Sequence, residues 1–185
     1  FSMVYEARAA ALRSPDADTR EALEGLERAA GAALNEMKAL VYAVRPKSLE
    51  RDGLEASLRD HVEALKRAHG AAIELRVHGE LRLTPSQDLA LLRIAQEALH
   101  NALHHAGGAR VQVTLEQDAD EARLTVRDRG PGFDVDGLPR SRRTMGLATM
   151  RERAAAVRAR LEVRSAPGRG TDVRVRLRTV RRSRG

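Results

Sequence analysis

Residues 84–108, TPSQDLALLRIAQEALHNALHHAGG, have the pattern of one long helix with a clear beginning and end. Thr84 and Gln87 form the Thr-x-x-Gln pattern of a capping box, and Pro85 suits the first helical position. Two glycines follow the last turn, as they commonly do at the end of a helix. The pattern predicts a helix from Pro85 to Ala106.

Short alternating segments on both sides of this helix predict a sheet. AIELRV (72–77) precedes the helix, and ARVQVTLEQ and EARLTVRD follow it as a hairpin around a DAD turn. A loop at 129–144, a helix at 146–159, and the strands LEVRS and TDVRVRLR complete the pattern. From residue 71 onward we predict an α+β sandwich, in which an antiparallel or mixed sheet carries helices on one face.

Upstream of the sheet the sequence predicts helices. SPDAD at 14–18 separates a first helix from a second that runs to about Val44 with apolar residues every three or four positions. Two such helices bury little alone, so we expect this hairpin to complete a four-helix bundle with a second copy. RPKSLE at 45–50 is predicted to break the helix, and 52–70 to form a third helix that ends at Gly70.

The composition excludes several classes of protein. The 185 residues include no cysteine, which excludes disulfides and thiolate metal sites, and no apolar run long enough for a membrane span. The net charge is +7, but residues 174–185 hold six arginines and no acid, and charges of both signs alternate upstream. With two Phe, two Tyr and no Trp, base-stacking surfaces are nearly absent. We expect no direct nucleic-acid partner.

Glu97, His100, Asn101, His104 and His105 bring one carboxylate, one amide and three imidazoles into nine residues of the long helix. The first four lie opposite an apolar face made of Leu91, Ala95, Ala98, Leu99 and Ala102. One interpretation is a transition-metal site in which His100 and His104, one turn apart, act with Glu97. Another is a solvated helix face. The zinc-enzyme pattern HExxH is absent.

Three further motifs follow in a fixed order. DRGPG (128–132) ends a predicted strand, GL (146–147) opens a helix whose free amides suit phosphate oxygens, and PGRGT (167–171) precedes the last strand. Each is common alone, since Gly and Pro usually mark only a turn. Their order along the chain and their spacing are specific.

Together with the helix around Asn101, these motifs resemble those of bacterial sensor histidine kinases, in the subfamily that pairs with NarL-type response regulators. The resemblance implies a Bergerat-type (GHKL) ATP-binding fold, and VRPKSLERDGLEASL resembles the segment that leaves the dimerisation hairpin. It implies a truncated dimerisation and phosphoacceptor hairpin at 1–50, a linking helix at 51–70, and a catalytic ATP-binding domain at 71–185.

The resemblance assigns the phosphate end of the site to the long helix and to the second glycine motif. Asn101 matches the asparagine that coordinates Mg²⁺ bound to the ATP phosphates. Glu97 matches the acidic residue that holds a metal-bound water or assists proton removal. His105 matches a position that contacts phosphate or ribose. Gly146 and Leu147 belong to a helix start that faces the phosphates. Mg²⁺, a hard cation, prefers such oxygen ligands to a set of histidines.

The resemblance assigns the base end of the site to the strand ends. Asp128 matches the aspartate that accepts a hydrogen bond from the adenine amino group, and Gly130 and Gly132 give the backbone room beside the base. Thr171 matches a threonine that supports Asp128 through ordered water.

Several residues depart from the family pattern. Thr144-Met145 stands where Gly-x is usual before Gly146, and His104 replaces a common Arg or Lys. Arg129 replaces a common Asn or Asp, and Arg158-Ala159 replaces a frequent Gly-Gly. These departures bear on ATP affinity and rate rather than on the family.

The implied activity is transfer of the ATP γ-phosphoryl to a histidine of the dimerisation hairpin, for relay to a response-regulator aspartate. In this family Asp or Glu follows that histidine directly, and none of the six histidines here is followed by one. We therefore interpret Phe1 as lying just after the acceptor motif, and expect the chain to bind ATP and Mg²⁺ without phosphorylating itself. The alternative is a nucleotide-binding interaction module without kinase activity. We expect a cytoplasmic domain, whether or not the intact protein is membrane-anchored.

Overall fold

The computed structural model describes residues 46–135 and 145–179, and upstream of them only the isolated positions 18, 19, 22, 23, 25 and 29. Most residues of the predicted hairpin helices and most of the predicted 129–144 loop lie outside these residues. The chain divides into two compact units, Phe1–Arg45 and Pro46–Gly185. The elements of the second unit are α1 (Lys47–His69), β1 (Ile73–His78), α2 (Pro85–His105), β2 (Val111–Gln117), β3 (Glu121–Asp128), α3 (Met145–Ala156), β4 (Arg160–Ser165) and β5 (Thr171–Arg178).

The five strands form one mixed sheet in the order β1-β2-β3-β5-β4. β1 and β2 are parallel, and the other neighbours are antiparallel. Because neighbouring parallel strands need a crossover connection, α2 has to pass over one face of the sheet between them. The predicted α+β sandwich is confirmed, with its sheet of the mixed kind.

Alternation along each strand separates a buried face from an exposed one. Val111, Val113 and Leu115 of β2 are fully buried in one core with side chains of the three helices. Charged and polar side chains occupy the alternate positions, on the side that we call the open face. Its members are Glu74, Arg76, His78, Gln112, Thr114, Glu116, Glu121, Arg123, Thr125, Arg127, Arg160, Glu162, Arg164, Asp172, Arg174, Arg176 and Arg178.

The capping box of α2 is present as the sequence predicts. The Gln87 N–H donates to Thr84 Oγ1 at 3.3 Å, and the Thr84 N–H donates to Gln87 Oε1 at 2.9 Å. At the other end the Ala106 N–H bonds to the Ala102 carbonyl at 2.8 Å, before two left-handed glycines. The predicted apolar face of this helix is buried throughout.

The predicted helix break at 45–50 is wrong in part, because α1 already begins at Lys47. Gly53 interrupts the helix with φ 79° and ψ −178°, a backbone conformation that is almost confined to glycine. Leu49, before this kink, and Leu54, after it, are both buried, and this burial accounts for the extra helical turn. The predicted end at Gly70 is confirmed, with Gly70 in the left-handed region at φ 61°.

The helix predicted at 146–159 is shorter, because α3 ends at Ala156. Arg158 adopts φ 55°, and the Ala159 N–H turns back to the Ala154 carbonyl at 2.8 Å. This is the left-handed helix end that glycine normally supplies. Arg158 therefore occupies the position where the family pattern carries glycine, at a cost of about 1 kcal/mol.

Candidate functional site

Four chain segments meet at one end of the buried face: the end of α2, the end of β3, the start of α3 and the start of β5. The antiparallel pairing of β3 with β5 aligns Arg127 with Asp172, which sets Asp128 beside Thr171. Residues predicted for the site from all four segments therefore belong to one region of the second compact unit.

Asp128 is the last residue of β3, and its side chain lies on the buried face with 7% of the residue exposed. Its Oδ1 atom accepts hydrogen bonds from the Gly130 N–H at 2.8 Å and the Thr171 N–H at 3.3 Å. Within the described ranges, no hydrogen bond reaches its Oδ2 atom. The carboxylate is thus held by one oxygen and has a second acceptor available.

Glycines around Asp128 allow backbones to approach closely. A Cβ atom on Gly130 would overlap the Ala106 main chain at the end of α2, and one on Gly170 would overlap the Asp128 carbonyl. Gly132 lies at φ 63°, against the Ala166 carbonyl oxygen. The loop after β3 is therefore packed between α2 and the β4–β5 turn.

Ser165, the last residue of β4, is a residue of this site that the sequence interpretation missed. Its hydroxyl accepts from the Phe133 N–H at 2.9 Å and lies 2.9 Å from the Gly170 carbonyl, to which it can donate. It also lies 3.2 Å from the hydroxyl of Thr171. Ser165 thus ties the loop after Asp128 to the turn before β5. The sequence indicates only weakly that Ser165 belongs to the site, because a serine before an Ala-Pro-Gly turn is common.

Thr171 supports Asp128 directly rather than only through water. Its main-chain N–H bonds to the carboxylate, while its hydroxyl pairs with Ser165. The expected water-mediated role of its side chain stays a prediction.

Glu97 and Asn101 lie one turn apart on α2, beside the start of α3. A Cβ atom on Gly146 would overlap the Glu97 carboxylate and would lie 3.4 Å from Asn101 Nδ2. Glu97 is only 9% exposed, because the start of α3 covers this side of the helix. The solvated-face interpretation is therefore wrong for Glu97.

The Glu97 carboxylate has no hydrogen-bond or ion-pair partner in the part of the chain that the structure describes. Neither carboxylate oxygen is among the fully buried unpartnered atoms of the described residues, so both remain accessible to a cation or a donor from a ligand. Together with the Asn101 amide, the carboxylate offers the hard oxygen donors that Mg²⁺ prefers. Leu147 is buried with 6% exposed and anchors the first turn of α3 in the core. The residues at this place fit a nucleotide that carries Mg²⁺.

The histidines of α2 lie nearer to solvent. His104 and His105 are exposed, and the ring centroids of His100 and His104 are 4.3 Å apart. No group of three or more His, Cys, Asp or Glu side chains able to hold a metal occurs among the described residues. Among the described residues, His100, His104 and Glu97 therefore do not form the three-ligand site of the transition-metal interpretation. His105 is the last residue of α2 and adjoins Ala106, which packs on Gly130.

The sequence matches the family model described as "Histidine kinase-, DNA gyrase B-, and HSP90-like ATPase" over residues 86–181, more than half of the chain. It is 35% identical over 184 residues to sensor histidine kinase YhcY of Bacillus subtilis, covering 96% of this chain and 45% of that protein. It is 32% identical over 177 residues to sensor histidine kinase LiaS of the same organism, covering 96% of this chain and 48% of that protein. The chain thus spans about half the length of these relatives.

Among solved structures, the fold resembles the histidine kinase domain of a blue-light activated kinase from Erythrobacter litoralis. The TM-score is 0.56 at 20% sequence identity, over 95% of this chain and 94% of that one. No helix in the described ranges is long and apolar enough to cross a membrane.

Proposed function

The chain belongs to the histidine kinase-, DNA gyrase B- and HSP90-like ATPase family, and on that premise we propose that it binds ATP with Mg²⁺ as the catalytic domain of a sensor histidine kinase. The single observation that carries the proposal is the geometry of Asp128. Its Oδ1 atom is fixed by two main-chain donors, and its Oδ2 atom remains an acceptor. A buried acceptor of this kind suits the amino group of adenine, and Gly130 and Gly132 leave room for the base beside it.

The phosphates would extend toward the start of α3. Gly146 lets the first turn of α3 lie against Glu97 and Asn101, and the free amides of a helix start suit phosphate oxygens. Asn101 and Glu97 would hold Mg²⁺, Glu97 directly or through a water, and His105 would contact phosphate or ribose. When bound, Mg²⁺ would neutralise the charge of the phosphates and fix their orientation. The protein's own contribution is positioning and the exclusion of water.

The wider activity is part of the same proposal. The γ-phosphoryl would pass to a histidine of a dimerisation hairpin in a homodimer, and from it to the aspartate of a NarL-type response regulator. Residues 1–50 would form part of that hairpin, 51–70 the linking helix and 71–185 the catalytic domain. The similarity to YhcY and LiaS supports this assignment. None of the six histidines in the sequence precedes an acid, so we propose that none is the acceptor.

Titration of the chain with Mg²⁺–ATP by calorimetry tests the proposal. Asp128→Asn should weaken binding by roughly tenfold or more, because the amide replaces the acceptor Oδ2 by a donor. Asp60→Asn removes the same charge from an exposed site on α1 and should leave the affinity unchanged. Equal affinity of wild type and Asp128→Asn would contradict the assignment.

A second arm tests the metal assignment. In the wild-type chain, removal of Mg²⁺ should weaken ATP binding, whereas Asn101→Ala should bind weakly with or without Mg²⁺. If Asn101→Ala kept the full Mg²⁺ dependence, the cation would be held elsewhere. Incubation with γ-labelled ATP should leave the chain unlabelled. Phosphohistidine in this chain would show that one of its six histidines is a phosphoryl acceptor.

A further inference from the structure

A groove of about 450 Å³ lies on the open face of the sheet and contains an excess of positive charge. Arg127 and Arg129 flank Asp128 in sequence and project to the opposite face of the sheet from it. The groove is lined by Glu74, Arg76, Arg110, Gln112, Arg127 and Arg129. It is therefore separate from the site around Asp128, although β3 contributes to both.

The four arginines of the groove differ in whether they are paired. Arg110, Arg127 and Arg129 make no hydrogen bond or ion pair within the described part of the chain. Glu74, which lines the groove, and Asp172, which lies opposite Arg127 on β5, are already paired with other arginines. Glu74 pairs with Arg76 at 2.7 Å, and the nearby Asp172 bonds through both of its oxygens to Arg174.

The strand register brings these three positive charges together. Gln112 pairs with Arg127 and Val111 with Asp128, so Arg110 and Arg129 follow one residue further along the same ladder. Asp172, the residue directly opposite Arg127 on β5, gives its carboxylate to Arg174 instead. Like charges at neighbouring positions of a sheet are destabilising. An anion between the three guanidinium groups would remove this cost.

We propose that the groove binds a small soluble anion of the diphosphate class, with Arg110, Arg127 and Arg129 as its ligands. The guanidinium fork matches phosphate oxygens in a bidentate way, which favours phosphate over a diffuse negative surface. The groove volume is that of a small-molecule site. Three unpaired charges within one groove favour a ligand that carries several negative charges over a single carboxylate.

Calorimetry with inorganic pyrophosphate, in buffer with a chelator in place of Mg²⁺, tests the proposal. Arg110→Gln/Arg127→Gln should weaken binding by about tenfold or more, because two charge-assisted contacts are lost. The matched control is Arg160→Gln/Arg178→Gln, which removes two exposed arginines of the same open face, outside the groove, that make no hydrogen bond or ion pair among the described residues. The control should change the affinity by less than about threefold, the size of a screened surface-charge effect.

A third variant separates this groove from the proposed nucleotide site. Asn101→Ala should bind pyrophosphate as the wild type does, because Asn101 lies on α2, on the buried side of the sheet. Loss of binding in Asn101→Ala with no effect of the groove variant would place the anion in the nucleotide site and overturn the proposal. Equal weakening in both arginine double variants, or no binding to the wild type, would overturn it as well.

Discussion

At the scale of single residues, the site depends on positions where a side chain would be too large. Gly146 is one of them, since it brings the start of α3 against the Glu97 carboxylate. Gly146→Ala should lower the free energy of unfolding by less than about 1 kcal/mol, because the overlapped Oε1 atom is the far end of a flexible side chain that can move aside. Urea denaturation followed by circular dichroism measures this difference.

A second substitution shows whether Glu97 is the cause. Glu97→Asp in the Gly146→Ala background retracts the carboxylate by one methylene and should restore part of the lost stability. The same Glu97→Asp change in the wild-type background should not stabilise the protein. If the double variant were no more stable than Gly146→Ala, the overlap would lie elsewhere.

Ser165 gives a second prediction at this scale. Ser165→Ala would leave the Phe133 N–H without its acceptor and should cost about 1–3 kcal/mol of stability. It should also weaken ATP binding, because the same hydroxyl fixes the segments on both sides of Asp128. Ser86→Ala, at an exposed position of α2, is the matched control and should change neither thermal melting nor affinity.

The sequence indicated some of these residues better than others. Asp128 and the glycines around it occur in a recognisable order along the chain. Their proximity in the fold could therefore be predicted from the sequence. Ser165 could not be found this way, because its partners are a main-chain N–H and a carbonyl that leave no trace in a residue pattern. The burial of Glu97 was missed because the start of α3, from a distant part of the chain, covers a helix face that is polar in sequence.

At the scale of elements, the contact between α1 and α2 includes a titratable group. Partial burial and the positive charge of Arg93 lower the pKa of His61 below its usual 6.5. The unfolded chain therefore takes up a proton on His61 at a higher pH than the folded one does. The free energy of unfolding should fall as the pH decreases through 6.5, and this contribution is absent at higher pH.

Urea denaturation at pH 5.5 and 7.5, values chosen on either side of the ordinary histidine pKa, measures the effect. His61→Gln should reduce the loss of stability between the two, whereas His78→Gln, at an exposed position of β1, should leave it as in the wild type. An unchanged difference in His61→Gln would show that this histidine does not contribute.

The observed ends of the helices show which helix boundaries can be predicted from local sequence patterns. The capping box of α2 is local, and its position was predicted to the residue. The start of α1 was not, because a Gly-kinked turn before Leu54 forms only when Leu49 gains a place in the core. The end of α3 was overestimated because Arg158 takes a left-handed conformation that an arginine seldom adopts.

At the scale of the whole molecule, the described core lies within the second compact unit. Its buried members run from Leu49 to Leu177, and every described residue of the proposed site lies in the same unit. A chain of residues 46–185 should therefore fold cooperatively and bind ATP within about twofold of the whole chain, because the described core and the described residues of the proposed site all belong to it. Thermal melting and calorimetry check this.

A shorter chain of residues 71–185 provides the contrast. It lacks the buried side chains Leu49, Leu54, Leu58 and Val62 of α1. Each contributes roughly 1.5–3 kcal/mol, a sum comparable with the whole stability of an ordinary domain, so the shorter chain should melt much lower or aggregate. Equal stability of both pieces would instead support the predicted domain boundary at residue 71.

The distribution of positive charge over the surface depends on the strand register. The run of arginines at the carboxyl end was interpreted from the sequence as a terminal excess. The sheet places Arg174, Arg176 and Arg178 on the open face, alternating with buried Val175 and Leu177. Composition alone could not show this, because only the register of β5 decides which face the charges share.

The alternation within β3 has a consequence for how the sequence can change. Arg127 and Asp128 serve opposite faces of β3, and Arg129 follows directly after it, so an insertion or deletion of one residue within the strand would exchange the two faces for the residues beyond it. The arginines would then enter the core and the aspartate would leave its pocket. The turn at 118–120 can therefore change in length by single residues, which the loop absorbs, whereas β3 itself tolerates such a change only with a bulge that restores the phase of the strand.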